Sequence, residues 1–352
     1  MQCQKKQHPF FYFGVSFCWE INIIYRFFRI FVVMKRVVTI FFIMLSAVAF
    51  FACRGSAPKS PNADNVAQHS EQVVFQPPVP PALLSKEQQQ AYMVEHYWDT
   101  FDFSDTVSLS KMDTQQLLTA FTVYVAGYLN DSNAAEPMRH LMERASASRQ
   151  MFDFFMQMAE FVLHNPNSQY RSDEKYIPVL EVATTSPLYD QTERMPYEYD
   201  LHIARQNRVG QVANDFRYTV ASGESALMSS IKAEYLLIFI SNPGCAMCRD
   251  VREGILSSAM LGDLIGQGRL KILVLYPDED LVAWRQHHGD YPSQWINAYD
   301  KGMKITSQRL YDLKAIPSLY LLDENKRVLA KDVSDVREIE YKINQYEQRS
   351  AR

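Results

Sequence analysis

Glycine and proline are sparse, 12 and 16 in 352 residues, while 47% of the chain is hydrophobic. That balance excludes a disordered protein and supplies apolar material for two globular cores. An excess of one charge sign is also missing. The 36 basic and 40 acidic residues leave a formal net charge of −4, and no dense Lys/Arg run crosses the body of the chain, so nucleic acid is not an expected partner. Cysteine is limited to five residues, Cys3, Cys18, Cys53, Cys245 and Cys248. The apolar stretch 37–51 has about 15 residues, fewer than the ~20 that a membrane-spanning helix needs.

That stretch follows Met34-Lys35-Arg36 and ends in Ala52-Cys53, the charged and apolar regions of a secretory signal. A small residue directly before cysteine resembles a bacterial lipoprotein signal, which implies a signal peptide over 34–52, cleavage before Cys53 and a lipid on its sulfur. Residues 1–33 contain Glu20, Arg26 and Arg29 within apolar stretches, each costly at membrane depth. They read as an extension upstream of the true start at Met34; the competing reading is a membrane-associated arm with Met34 internal. With Cys53 lipidated, Cys245 and Cys248 are the remaining sulfurs. In an oxidising envelope compartment such a pair is a structural bridge or a redox couple. A bridge closing so short a loop constrains the unfolded chain little, which favours the couple.

Residues 53–82 are rich in Ser, Pro, Gln and Ala, include Gln76-Pro77-Pro78-Val79-Pro80-Pro81, and are predicted to form a tether. No carboxylate lies within 54–60, so an acidic surface-export tag after Cys53 is missing and the periplasmic face of the outer membrane is the expected location. Residues 83–204 read as an all-α domain. Ser85-Lys86-Glu87-Gln88 has the form of a capping box and opens a helix with Tyr92, Tyr97 and Trp98. Asp113 caps a second, with Leu117, Leu118, Phe121 and Val125 on one side, and 136–147 and 150–164 give two more. Met138, Met142, Met151, Met156 and Met158 are assigned to core packing, and His140 and His164 to the surface.

From residue 205 to 352 the pattern changes to strands alternating with helices. Residues 235–240 and 271–276 are buried-strand candidates, 280–288 and 303–313 helices, 318–323 and 327–330 strands flanking a turn at 324–326, and 335–348 a closing helix. This describes an α/β sandwich with a hairpin.

The main chemical signal is Cys245-Ala246-Met247-Cys248, placed between the apolar run 235–240 with its Ser241-Asn242-Pro243-Gly244 turn and a helical segment. A Cys-x-x-Cys at a strand-to-helix turn puts the first thiol at the helix N-terminus, where unpaired N–H groups and the macrodipole favour a thiolate. Three residues on, the second sulfur lies on the same side of the first turn, within reach to close a disulfide once the first has formed a mixed disulfide. No metal and no organic cofactor is expected. A Cys2His2 site with His287 and His288 is disfavoured, because adjacent helical residues point about 100° apart.

With Gly210…Asp215-Phe216 as lead-in, the dithiol after a central strand, and Ala315-Ile316-Pro317-Ser318 before the hairpin, residues 205–350 resemble the thioredoxin superfamily. The similarity is to extracytoplasmic thiol–disulfide oxidoreductases of the TlpA/ResA type, within lipoproteins of Bacteroides-type bacteria that join a helical N-terminal region to a thioredoxin-like domain. The resemblance implies a central mixed sheet flanked by helices, Cys245 as attacking nucleophile, Cys248 as resolving thiol, and a cis Pro317 beside them. Ile316 would then offer its main chain to an extended substrate. Two positions depart from the family pattern: Gly244 stands where thioredoxins usually carry Trp, and Phe239 where many carry a buried acid. Deprotonation of Cys248 would then need water or Glu253, and turnover would be slow. Arg249 and Arg252 are expected to be solvated, Trp284 and Trp295 to pack, and the insertion between Tyr276 and Pro317 to form a rim beside the dithiol.

These readings imply a membrane-tethered thiol–disulfide oxidoreductase of the cell envelope, with disulfide-containing exported proteins and a redox donor or acceptor as partners. The alternative is a binding lipoprotein whose thioredoxin-like domain is a scaffold. A peroxidase of the peroxiredoxin type lacks support, since Asn242-Pro243-Gly244 occupies the place of the expected Thr.

Overall fold

The computed structural model describes residues 74–109 and 111–350. The upstream extension expected over 1–33, the signal peptide expected over 34–52, the lipid attachment expected at Cys53 and the expected tether up to residue 73 lie outside them. Among the described residues no helix is long and apolar enough to cross a membrane.

Six helices of ten or more residues come first among the described residues: α1 Lys86–His96, α2 Thr114–Val123, α3 Ala135–Ala145, α4 Arg149–Ala159, α5 Asp173–Thr185 and α6 Gln191–Ala204. Ser85 and Gln88 close the capping box at α1, and Asp113 accepts the Gln115 N–H at α2. Ser148 and Ser172 cap α4 and α5, and Asp190 with Glu193 forms a second capping box at α6. The five methionines are buried in a common core with Leu117, Phe121, Phe152, Phe155 and Tyr176. Phe75, inside the Pro-rich stretch, is buried and stacks on Trp98 at 4.8 Å, so packing begins before residue 82.

Helices α5 and α6 were not anticipated by the helical pattern. Each carries an internal proline, Pro178 and Pro196, which breaks the periodicity a sequence reading relies on.

The second half is a seven-stranded mixed sheet in the order β2-β1-β5-β4-β3-β6-β7. Its strands are β1 Arg217–Val220, β2 Ser225–Leu227, β3 Tyr235–Ile240, β4 Leu270–Tyr276, β5 Ile296–Tyr299, β6 Ser318–Leu322 and β7 Val328–Val333. Strand β3 runs parallel to β4 and antiparallel to β6. Every β3 residue is buried because both faces are covered. Tyr235, Leu237 and Phe239 meet α7 Ala246–Ser257, α8 Ala259–Gly266 and α9 Val336–Ser350. Leu236, Ile238 and Ile240 meet Met228, Ile305 and Tyr311 on the other face. Gly254 lets α7 approach α9, since a Cβ there would lie 3.2 Å from Val336.

The helix expected over 303–313 is a single turn, Lys304–Ser307, because Arg309 turns left-handed at φ 54° and diverts the chain. Strand β5 lies within the segment between Tyr276 and Pro317 that the sequence reads as an insertion; its four residues, Ile-Asn-Ala-Tyr, are too few to show a period.

Charged contacts join the helices to the sheet. Arg171 pairs with Asp332 at 3.0 Å and Lys331 with Asp173 at 2.7 Å. Lys331 also donates to the Ala204 and Gln206 carbonyls, and Arg208 makes a paired contact with Glu174. Burial raises the Asp332 carboxyl to about 6 despite the guanidinium beside it. Removing a partner from such a pair strands a buried charge. Arg171→Ala is expected to lower stability at pH 8 by about 3 kcal/mol in urea unfolding, and by less at pH 5, where Asp332 takes up a proton. Equal losses at both pH values would rule out the ion pair as the cause.

His164, expected at the surface, is largely buried against Tyr176, with ring centroids 4.9 Å apart. Its Nε2 lies 3.7 Å from Asp200, yet burial governs both groups. The imidazole is pushed down to about 4, burial first and Lys314 second, while burial raises Asp200 to about 6. An ion pair alone would shift both the other way. The folded chain therefore binds fewer protons at His164 than the unfolded chain between about 4 and the ordinary value of 6.5, and this group withdraws stability as pH falls through that window. Asp200 acts in the opposite sense over its own window, so a difference measurement is needed. The stability of wild type minus that of His164→Gln should decline from pH 7 to pH 4.5 in urea titrations; parallel curves would disprove the assignment.

Candidate active site

Strand β3 ends at Ile240, and the Ser241 N–H still donates to the Leu275 carbonyl, so the chain leaves the sheet at a fixed point. Asn242 and Pro243 lead to Gly244, which turns at φ 72°, a conformation that glycine adopts without penalty. Cys245 is the N-cap of α7, with extended backbone, and its Sγ accepts the Cys248 N–H at 3.3 Å. The first thiol thus sits where the free N–H groups of the helix favour negative charge.

The antiparallel register of β3 with β6 pairs Ile240 with Ser318. The Ile316–Pro317 bond, which is cis, therefore lies beside the dithiol, and the Cys245 thiol approaches the Ile316 carbonyl at 4.0 Å. The structure brings together all four residues singled out around residues 245 and 316. Beyond Pro317 a groove of about 490 Å³ is lined by Met247, Val251, Val336 and Arg337.

Both cysteines are free thiols, and their surroundings differ. Cys245 is partly open, whereas Cys248 is 2% exposed. Burial pushes the Cys248 thiol up to about 11, only partly offset by a hydrogen bond from the Ser241 side chain. Glu253 does not serve this thiol: it is 61% exposed and faces Arg252 at 3.8 Å. Phe239 is fully buried below the site, with Tyr291 standing edge-on to its ring at 6.0 Å.

The segment 277–295 builds the expected rim. With Ser241, Cys245, Cys248 and Arg252 it encloses a cavity of about 160 Å³ lined by Trp284, His287, His288 and Tyr291. Trp284 and Trp295 are buried packing residues, and the Trp284 indole donates to Asn297. His287 contacts Asp290 at 3.0 Å, and His288 the Arg285 carbonyl at 2.9 Å. Among the described residues no cluster of three or more His, Cys, Asp or Glu side chains is placed to hold a metal. Arg252 is more than a solvated side chain: it donates to the Asp290 carbonyl and lies over the Tyr291 ring.

Sequence reasoning missed Ser241 and Tyr291. The Ser241 hydroxyl lies 2.6 Å from the Tyr291 hydroxyl. Ser241 directly precedes the turn, so its position was readable, but its partner lies fifty residues on in a segment without a pattern.

A family model described as a domain of unknown function, DUF5106, matches residues 52–207. Among solved structures, a thioredoxin-like protein from Bacteroides caccae is 37% identical, the match covering 76% of this chain and 98% of that one with a TM-score of 0.73. The C-terminal domain of a protein from Bacteroides fragilis is 44% identical over 38% of this chain and 96% of that one, with a TM-score of 0.38. The thioredoxin domain of a thiol-disulfide oxidoreductase from Bacteroides vulgatus is 18% identical over 38% of this chain and 96% of that one, with a TM-score of 0.34. No curated protein matches the sequence.

The asymmetry of the two thiols is measurable. With iodoacetamide at pH 8, followed by peptide mass analysis, Cys245 is expected to label at least about tenfold faster than Cys248, because the thiolate is the reactive form. Equal labelling would contradict the burial of Cys248.

Proposed function

The chain belongs to the thioredoxin-like proteins, and from that premise we propose that it is a thiol–disulfide oxidoreductase of the cell envelope acting on exported proteins. One geometry carries the reading: a partly open Cys245 thiol at a helix N-cap, 4.0 Å from the Ile316 carbonyl across the cis Ile316–Pro317 bond. The main chain at Ile316, which precedes β6, and the groove beyond Pro317 suit an extended peptide.

In the proposed cycle the Cys245 thiolate attacks one sulfur of a substrate disulfide. A Cys245–substrate mixed disulfide forms, and the other substrate sulfur leaves as a thiolate that takes a proton from water. Cys248 then loses its proton and attacks the Cys245 sulfur; the Cys245–Cys248 disulfide forms, the mixed disulfide breaks, and the substrate departs reduced by two electrons. A dithiol donor in the envelope must return those electrons to the pair. Run in reverse, the same steps oxidise a substrate dithiol. A lipid on Cys53, facing the periplasm, would hold the domain near its substrates, a view supported by the signal-like sequence over 34–53.

Phe239, buried where a proton-accepting acid would help Cys248, gives some weight to the scaffold reading, in which the dithiol never turns over. Insulin reduction in the presence of dithiothreitol separates the two. Wild type should accelerate precipitation of the insulin B chain, and Cys245→Ser should reduce the rate to that of dithiothreitol alone. Activity persisting in Cys245→Ser would overturn the assignment, and an inactive wild type would favour the scaffold.

A further inference from the structure

Cys248 must give up a proton inside the protein before it can resolve the mixed disulfide; His287, His288 and Asp290 line the cavity beside it, but none of them is among the groups that act on its thiol. The groups acting on its thiol are the Ser241 hydroxyl, the Asn242 backbone and Cys245. Ser241 is itself 3% exposed, and its hydroxyl is 2.6 Å from that of Tyr291. Tyr291 lines the cavity of about 160 Å³ that also reaches both cysteines. Cys248, Ser241 and Tyr291 line this one cavity together, so the buried sulfur and the two bonded hydroxyls border a space large enough for water.

Resting on the oxidoreductase reading, we propose that Ser241 and Tyr291 relay the Cys248 proton to the cavity, with Ser241 as the group touching the reacting thiol and Tyr291 as the residue that positions and drains it. As Cys248 attacks the Cys245 sulfur, its S–H proton passes to the Ser241 oxygen, the Ser241 proton passes to the Tyr291 oxygen, and the Tyr291 proton passes to cavity water. The S–S bond to the substrate breaks, and the departing thiolate carries the electron pair. Each hydroxyl gains one proton and loses one, so neither ends charged.

Tyr291 is held for this role. Its ring stands edge-on to Phe239 at 6.0 Å and tilts toward Trp295 at 6.1 Å. The Arg252 guanidinium lies 5.8 Å from the ring centroid and donates to the Asp290 carbonyl. The charged and titratable groups around the phenol are therefore Arg252 on α7, Asp290 with its partner His287, and Cys248 itself. Burial holds the phenol above its ordinary value, so it stays protonated at neutral pH and can donate.

The test uses the full chain with Cys3→Ser, Cys18→Ser and Cys53→Ser, so that only the dithiol reports. Reaction with excess 5,5′-dithiobis(2-nitrobenzoate) in a stopped-flow instrument releases one coloured thiolate as Cys245 attacks and a second as Cys248 resolves. Ser241→Ala and Tyr291→Phe should leave the first phase at the wild-type rate and slow the second by about tenfold to a hundredfold at pH 7, the scale of assistance by a positioned proton acceptor. The double variant should be no slower than the slower single variant. The deficit should shrink between pH 7 and pH 10, as hydroxide takes over removal of a proton held to about 11. A second phase unchanged in both variants, or two phases slowed equally at every pH, would overturn the relay while leaving the oxidoreductase reading in place. A wild-type dithiol that releases no coloured thiolate would remove both.

Discussion

The pairing of Ile240 with Ser318 is the constraint on which the site depends. Strand β3 delivers the dithiol at its C-terminal end, and antiparallel β6 begins at the same edge, so Pro317 must arrive beside Cys245. A shift of one residue would turn Leu319 and Leu321 away from the core face they share with Phe239 and Leu237, and every buried side chain of β6 opposes it. The hydrophobic pattern of two strands thereby fixes the distance between the Cys245 thiol and the Ile316 backbone.

The helices reach this edge through Asp332. Its carboxylate accepts from Ser318 Oγ at 2.5 Å and pairs with Arg171 from the loop before α5. Ser318 is the residue after the cis proline. Lower in the same region Asn207 donates to the Leu310 carbonyl, and Arg309 lies over the Tyr199 ring, bracing the chain that leads to Pro317. The helical half therefore acts on the position of the groove from behind. Its contribution is positional, carried by charges that are expensive to leave unpaired, and among the described residues it places no side chain in the lining of the cavity beside Cys248.

Much of this was legible in the sequence, for identifiable reasons. The Cys-x-x-Cys after a six-residue apolar run and the later Ile-Pro before a second run mark a strand, a helix N-terminus and an adjacent strand through local chemistry alone. Capping signals gave α1 and α2. The same signal stood at Ser172 and at Asp190-x-x-Glu193, where internal prolines obscured it. His164 misled because burial of a histidine is decided by Tyr176 and Asp200, residues remote in sequence, and not by its own helix. The Ser241–Tyr291 contact was equally hidden. A hydroxyl pair fifty residues apart has no spacing to betray it, and Glu253 drew attention only because it lies close in the chain.

A proton path made of hydroxyls has a physical logic beside a buried Phe239. A carboxylate under Cys248 would help remove its proton, yet it would have to be held ionised in the same dry region that already raises the thiol, at a desolvation cost of several kcal/mol. Two neutral hydroxyls avoid that cost, since each can donate and accept in turn without leaving an ion behind. What they give up is driving force: a serine oxygen is a far weaker base than a carboxylate, so the path lowers the barrier only if water in the cavity accepts the last proton promptly. The cavity rim built by 277–295, with Arg252 fixed over Tyr291, keeps that exit aligned while Trp284 lines the cavity and Trp295 packs behind Tyr291. On the proposed relay, the buried Phe239 and the aromatic rim belong together, an uncharged proton path standing where a buried carboxylate would be costly.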